Sequence, residues 1–459
     1  MHRNKLSQWI IATVLILLSF PLQAQEADNE FTIDAKMLTR GELRYGGFKP
    51  DSVDNERMAH FIIGQYRLNF TYKHSSWFEM RLSPQATCVW GQASVNLGLA
   101  EAWVSLKSKQ GLFAKIGRQI LEYDDERILG YDDWTMTAPT HDVLILGYEG
   151  HGHKVHALLA YNQNPDNMDI GGTEYSDGLQ PYKTMQALWY HYDTPKSIFG
   201  FSLLGMNIGM QGIDINTNKT KTYYQQLVGT YMKLQPKIVS LEGAFYYQMG
   251  KEEHGFPIDA YMGSVKMNVE PIKMLDFYVG YDYLRGDKYL SVPKPGALGL
   301  VFHDKIRGFC PIFGSHHEFY GAMDFFYLDS YVGNFTPGLQ NLYGGGIVKP
   351  IENLNIDLSY HFFAIATKLS NLKKPLGHEL EFSISYKFAK FVQLSAGYSY
   401  MKGTETMLAL QRVSENRRLH WGWLMLKITP TLFTTTWQKK KKTEKDETAP
   451  AIAEPQPAE

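Results

Sequence analysis

The chain has 459 residues and a formal net charge of −1, so its overall charge draws it to neither nucleic acid nor an anionic surface. Its body carries no basic tracts interleaved with aromatics, which sets nucleic acid aside as a partner. No internal apolar run reaches the roughly 18 residues of a transmembrane helix, which excludes a helical membrane protein but not a barrel, whose strands hide their apolarity by alternation.

The N-terminus comes first. His2, Arg3 and Lys5 make a basic head, Trp9 to Phe20 an apolar core too short to span a bilayer, and Pro21 to Gln25 a cleavage zone. Residues 1–24 are therefore predicted to be a secretory signal peptide, with cleavage after Ala24. No Cys follows the apolar core, so a lipoprotein anchor is not expected.

From there the chain predicts an all-β fold, a transmembrane antiparallel β-barrel over residues 25–437. Eighteen amphipathic runs lie near 31–46, 58–72, 76–89, 98–108, 111–120, 141–148, 152–162, 183–193, 197–210, 221–233, 237–249, 257–268, 274–286, 340–349, 353–367, 377–388, 390–402 and 419–433. The run at 379–400 is the clearest. Leu380, Phe382, Ile384, Tyr386 and Phe388 alternate with Glu379, Glu381, Ser383, Ser385 and Lys387, and the pattern resumes after Ala389-Lys390. Each arm has about ten residues, the length a tilted strand needs to cross a bilayer. The 29 Tyr and 25 Phe suit interfacial girdles.

Connections alternate between short ones, such as His74-Ser75 and Pro350-Ile351-Glu352, and longer ones near 47–57, 121–140, 163–182, 211–220, 287–339 and 403–418. That alternation is expected of periplasmic turns and extracellular loops. A secreted chain of this kind is expected in the outer membrane of a Gram-negative bacterium, in contact with its lipids. A further run, 317–327, breaks the even count. Strand direction places it inside one long extracellular loop, 287–339, folded into the barrel mouth; an extra hairpin is the competing reading. Residues 438–459 are charged, then rich in Pro, Ala and Glu. They are expected to form a disordered periplasmic tail, whose Lys439–Lys442 cluster is either a periplasmic contact or a solvated charge run.

Parity then assigns the lumen. In the first strand Ile33, Ala35, Met37, Leu43 and Tyr45 face lipid, leaving Lys36, Arg40, Glu42 and Arg44 inward. Arg67, Asn69 and Thr71 follow in the second strand, and Glu79, Arg81, Ser83 and Gln85 in the third. A charge at the lipid midplane costs about 2–4 kcal/mol, which forces this choice. Later strands place Glu242, Asp276, Asp282, Asp357, Glu379 and Glu381 inward, with Lys266 and Lys387 as exceptions. One reading is a transverse field across a water-filled pore. The other is that these charges pair and brace the barrel, and the two can coexist.

Other groups are weaker. Asp124, Asp125, Glu126, Arg127, Asp132 and Asp133 crowd one outer loop without calcium-loop spacing, so local salt bridges are expected rather than a metal. His151 and His153 share a face and His156 opposes them, against a three-His site. Ser359 and His361 face inward without a nucleophile motif, so a hydrolase is disfavoured. Cys88 and Cys310 are expected to remain thiols rather than a disulfide.

Lys115-Ile116-Gly117-Arg118-Gln119, Tyr123 to Gly130 and Asp133-Trp134 resemble the signature of the alginate export family of outer-membrane barrels. His317 to Asp324, Gly338-Leu339 and Tyr360-His361-Phe362 support the resemblance. It implies an eighteen-stranded monomeric barrel that passes a hydrophilic, often anionic, solute or polysaccharide. It adds Lys115, Arg118 and Arg127 to the expected pore lining. Arg118 shares the lipid parity of Leu112, Ala114 and Ile116, so it is placed at the rim, with a bulge at Gly117 as the alternative. The expected function is a porin for polar, anionic or saccharide solutes, with exopolysaccharide export included. It is not expected to be an enzyme or to need a cofactor or metal. A plugged structural or adhesive barrel is the alternative.

Overall fold

The structure, a computed structural model, describes residues 28–46, 58–131, 134–137, 139–163, 175, 179–214, 217–287, 305–311, 313–315, 317–324, 326, 337–369, 372–411 and 418–438. The expected signal peptide, the tail beyond Gln438, Asp132, Asp133 and His316 lie outside these residues.

The strands follow the alternating runs. They are β1 (Asp28–Tyr45), β2 (Ala59–His74), β3 (Phe78–Val89), β4 (Asn96–Lys107), β5 (Leu112–Gln119) and β6 (His141–Gly150). Next come β7 (His153–Tyr161), β8 (Thr184–Asp193), β9 (Phe199–Asp214), β10 (Lys219–Leu234), β11 (Val239–Lys251), β12 (Pro257–Ile272) and β13 (Leu275–Leu284). After the longest connection come β14 (Leu339–Val348), β15 (Leu354–Ala364), β16 (Pro375–Ala389) and β17 (Val392–Gly403). A short helix, α1 (Glu405–Gln411), precedes β18 (Leu419–Ile428) and β19 (Thr431–Gln438). From β1 to β18 each strand pairs antiparallel with its sequence neighbour, and β1 closes the sheet against β18 and β19.

The sheet has nineteen strands but eighteen staves. β18 and β19 run in one line along β1, from Tyr45 opposite His420 to Asp28 opposite Gln438. Pro430 interrupts them because it has no N–H for the ladder. The register slips between Ile33 and Asp34, while the Pro430 carbonyl still accepts from Ala35 N–H. The sequence reading ended this stave at 433, five residues short.

The remaining boundaries agree within a few residues, with one difference. The expected long connection 211–220 narrows to 215–218, because β9 and β10 continue their pairing to Asp214 and Lys219. As the loop reading expected, segment 317–324 forms bends and turns, and the competing extra hairpin does not form there. Tyr320 and Asp324 take positive φ (67° and 53°) there, which a strand does not tolerate.

Alternation along the strands separates two faces. Leu43 is 52% exposed while its neighbour Glu42 is 2% exposed, so apolar side chains point out and polar ones in. Only part of the inner face is polar. From β6 to β12 it carries Val143, Ile145, Leu158, Met185, Leu204, Met206, Ile208, Leu227 and Met262, all buried. These join one apolar cluster with Leu121, Tyr123, Ile128 and Leu129 from the β5–β6 connection and Phe309, Phe313 and Tyr320 from the β13–β14 connection. Ser202, Gln225 and Gln248 are the buried polar residues that share this inward face on β9 to β11.

Cys88 and Cys310 are both thiols.

Candidate functional site

The inner faces of β1 to β5 form the basic wall, and its charges are held locally. Arg40 Nε donates to Glu42 Oε1 at 2.8 Å, and Arg44 reaches Glu42 Oε2 at 2.7 Å. Trp421 Nε1 donates to the same carboxylate at 2.9 Å. Arg40 is 3% exposed and its guanidinium lies 3.6 Å from the Trp134 ring centroid. Arg81 pairs with Glu101 at 3.0 Å, and Lys115 Nζ sits 3.9 Å over Trp103. Glu79 lies opposite Lys73 and Ser105 in the sheet. Bracing within the wall is therefore real for Arg40, Arg44 and Arg81.

Arg67 differs. It is 5% exposed, and its hydrogen-bond partners are the neutral Gln85 Oε1 at 2.8 Å and Tyr131 hydroxyl at 3.2 Å. Its Nη2 is buried without a partner. Tyr131 also accepts from Lys36 Nζ at 3.1 Å, so two cations converge on one phenol oxygen.

The carboxylates of β13 to β16 hold loop groups. Arg127, buried in the β5–β6 connection, lies 3.2 Å from Asp282 and 3.1 Å from Asp125, and donates to Tyr320. Burial alone lowers an arginine pKa, but these neighbouring charges raise Arg127 above its ordinary value. Glu381 accepts from Ala322 N–H at 2.8 Å and Glu379 from Met323 N–H at 3.0 Å. Gly321, with φ +94°, packs so closely that a Cβ there would lie 2.5 Å from Glu379 Oε2. Asp357 accepts from Tyr278 at 3.0 Å. Trp134 stacks on His317 at 3.9 Å, bringing the two connections together beside β1 and β18.

The remaining expected site residues resolve one by one. Arg118 stays on the outward face at the outer end of β5 and makes a bidentate pair with Asp142, at 2.9 and 2.8 Å. Register across Gly117 is unbroken, so the rim placement holds without a bulge. Asp124 accepts from Trp189 Nε1 at 3.0 Å, and burial raises its pKa. Glu122 is raised by burial and by Glu126 and Glu101. His153 faces Tyr190, whereas His156 bonds Glu149 and Tyr123, as their opposite parity requires. Ser359 Oγ bonds Glu381 at 2.8 Å rather than His361, whose Nδ1 meets Asn341. That arrangement does not prepare a serine nucleophile.

Sequence reasoning missed Tyr131, Tyr320 and the amides of Ala322 and Met323. Tyr131 and Trp134 flank the acidic pair 132–133, so a loop that carries aromatics into charge was a readable signal. Backbone donors leave no trace in side-chain identity.

Known structures match this fold. Pseudomonas aeruginosa OccK2 (OpdF), solved in complex with glucuronate, aligns with a TM-score of 0.59 at 12% identity, over 88% of this chain and 98% of its own. The fold is that of an outer-membrane β-barrel porin. Pseudomonas aeruginosa OpdL gives 0.58 at 13% identity, covering 88% and 99%. A BenF-like porin from Pseudomonas fluorescens Pf-5 gives 0.60 at 12%, also covering 88% and 99%. No protein-family model matches the chain, and no curated protein matches it. The alginate export family, and exopolysaccharide export with it, is not supported. Two arginines of the motif that carried that resemblance have local partners here, Arg118 with Asp142 and Arg127 with Asp282.

Proposed function

We propose that the chain is an outer-membrane diffusion channel for small polar solutes bearing a negative charge, with no catalytic role. The β5–β6 and β13–β14 connections fold into the barrel and narrow it. They pack on the apolar inner face of β6 to β12, so the open path is eccentric and follows the polar wall of β1 to β5. The observation that carries this reading is Arg67, a buried guanidinium with neutral partners and one unused N–H group. Its Nη2 is closed to solvent, so this charge acts on a passing carboxylate or other anion through its field rather than by direct contact. Arg44 and Arg81, partly exposed on the same wall, extend the field. The likeness to OccK2, whose structure holds glucuronate, supports a charged solute of modest size. The barrel closes through β1 on β18 and β19 without a second copy, which fits a monomer.

Planar-bilayer recording in a salt gradient tests this. The parent should favour anions, and Arg67→Gln should move the reversal potential toward zero. An unchanged reversal potential would falsify the assignment of Arg67. A barrel that stays silent until residues 305–326 are deleted would favour the plugged form.

A further inference from the structure

Outside the lumen, one sector of the outer rim carries basic groups without acidic partners. His378 lies opposite Lys402 in the β16–β17 ladder. Met401 pairs with Leu419 at the end of the β17–β18 ladder, so Arg418 occupies the next register position across from Lys402. All three are exposed and form one row on three neighbouring strands. Lys402 and Arg418 are like charges directly opposite each other, which destabilises a sheet, so the row calls for a counter-anion.

Among the described residues the surroundings lack one. By parity no carboxylate shares the outward face of β15 to β18, β1 or β2, because Glu379, Glu381 and Glu42 all point inward. The adjoining β15–β16 connection adds exposed Lys373 and Lys374, and Glu405 on α1 is the single carboxylate of the described outer connections beside it. Elsewhere on the same rim Arg118 is neutralised by Asp142 and Arg285 by Asp259. Immediately inward of the row, the Tyr360 hydroxyl bonds His378, and Tyr398 bonds His420 Nδ1 at 2.7 Å. Below these the face turns apolar, with Leu380, Phe382 and Leu424 exposed.

We propose that this sector binds the phosphorylated headgroup of an outer-leaflet lipid, with His378, Lys402 and Arg418 on the phosphate and the apolar stripe below along the acyl chains. The proposal rests on reading the chain as a membrane barrel. A lipid is the favoured occupant because the basic row is continuous with the bilayer-facing stripe. Each cation near an anionic surface adds about 1 kcal/mol of attraction.

Native mass spectrometry of the purified full-length barrel, mixed with bisphosphorylated lipid A or its dephosphorylated form, tests the idea. The parent should retain lipid A preferentially, and Lys402→Gln/Arg418→Gln should reduce that preference about thirtyfold. Arg285→Gln, elsewhere on the same rim and already paired with Asp259, should leave it unchanged. Equal retention of the two lipids, or displacement of lipid A by millimolar inorganic phosphate, overturns the proposal. Conductance separates it from the channel reading. A variant that conducts normally but loses the lipid supports this inference, whereas a silent parent that still retains lipid A defeats only the channel.

Discussion

Individual residues show how parity turns into partnership. Alternation alone placed Arg40, Glu42 and Asp282 inside; their pairing depends on which loop group arrives opposite. Arg127 and Asp282 are both buried and both charged, so removing one strands the other. Arg127→Gln should lower unfolding stability by about 3–5 kcal/mol in urea, and Arg127→Gln/Asp282→Asn should recover most of the loss. An additive double variant would show that the two do not act as a pair. Asp124 offers a pH test. Its folded pKa lies above its unfolded one, so the burial penalty is present above the folded value and absent below the unfolded value. Asp124→Asn keeps an acceptor for Trp189 and removes the charge. The variant should melt higher than the parent at neutral pH and level with it below the carboxylate range. A constant gap across pH would rule out titration as the cause.

At the level of elements, the turn at 321–323 is held by two carboxylates on one inward strand face. Glu379 and Glu381 are two apart in β16, so both point to the same side, and each accepts one backbone N–H. Glu379→Gln/Glu381→Gln should weaken that grip, giving larger and noisier single-channel currents. Gly321→Ala should act similarly, because positive φ and the nearby Glu379 oxygen both oppose a Cβ. Current traces indistinguishable from the parent in both variants would mean the turn is held elsewhere. The inward position of these glutamates was legible from alternation, but their backbone partners lie more than fifty residues away in a segment without period. The same limit applies to β19. The sequence reading carried this stave past Pro430 but stopped at 433, whereas the ladder on β1 continues to Gln438.

For the whole molecule, the inner wall is divided. One arc is polar, whereas along β6 to β12 buried apolar residues share a cluster with side chains of the two connections. Deleting residues 305–326 should therefore have two effects at once. Conductance should rise, and resistance to heat unfolding should fall, because apolar area buried by Phe309, Phe313 and Tyr320 returns to water at about 25 cal/mol per Å². A deletion that raises conductance with no loss of heat resistance would show that these connections are not part of the core.

Period-two alternation, the spacing of turns and the cost of charge in lipid determined the class of fold, the stave count and the facing of nearly every strand residue. Those rules act over two to ten residues, so they are written locally in the sequence. The tertiary structure alone decided which inward faces are wet, which arginines are neutralised and where Arg67 is left with an unused donor. Those outcomes depend on contacts between β5–β6 and β13–β14 residues nearly two hundred positions apart, and no local pattern encodes the meeting of two irregular segments inside a closed wall.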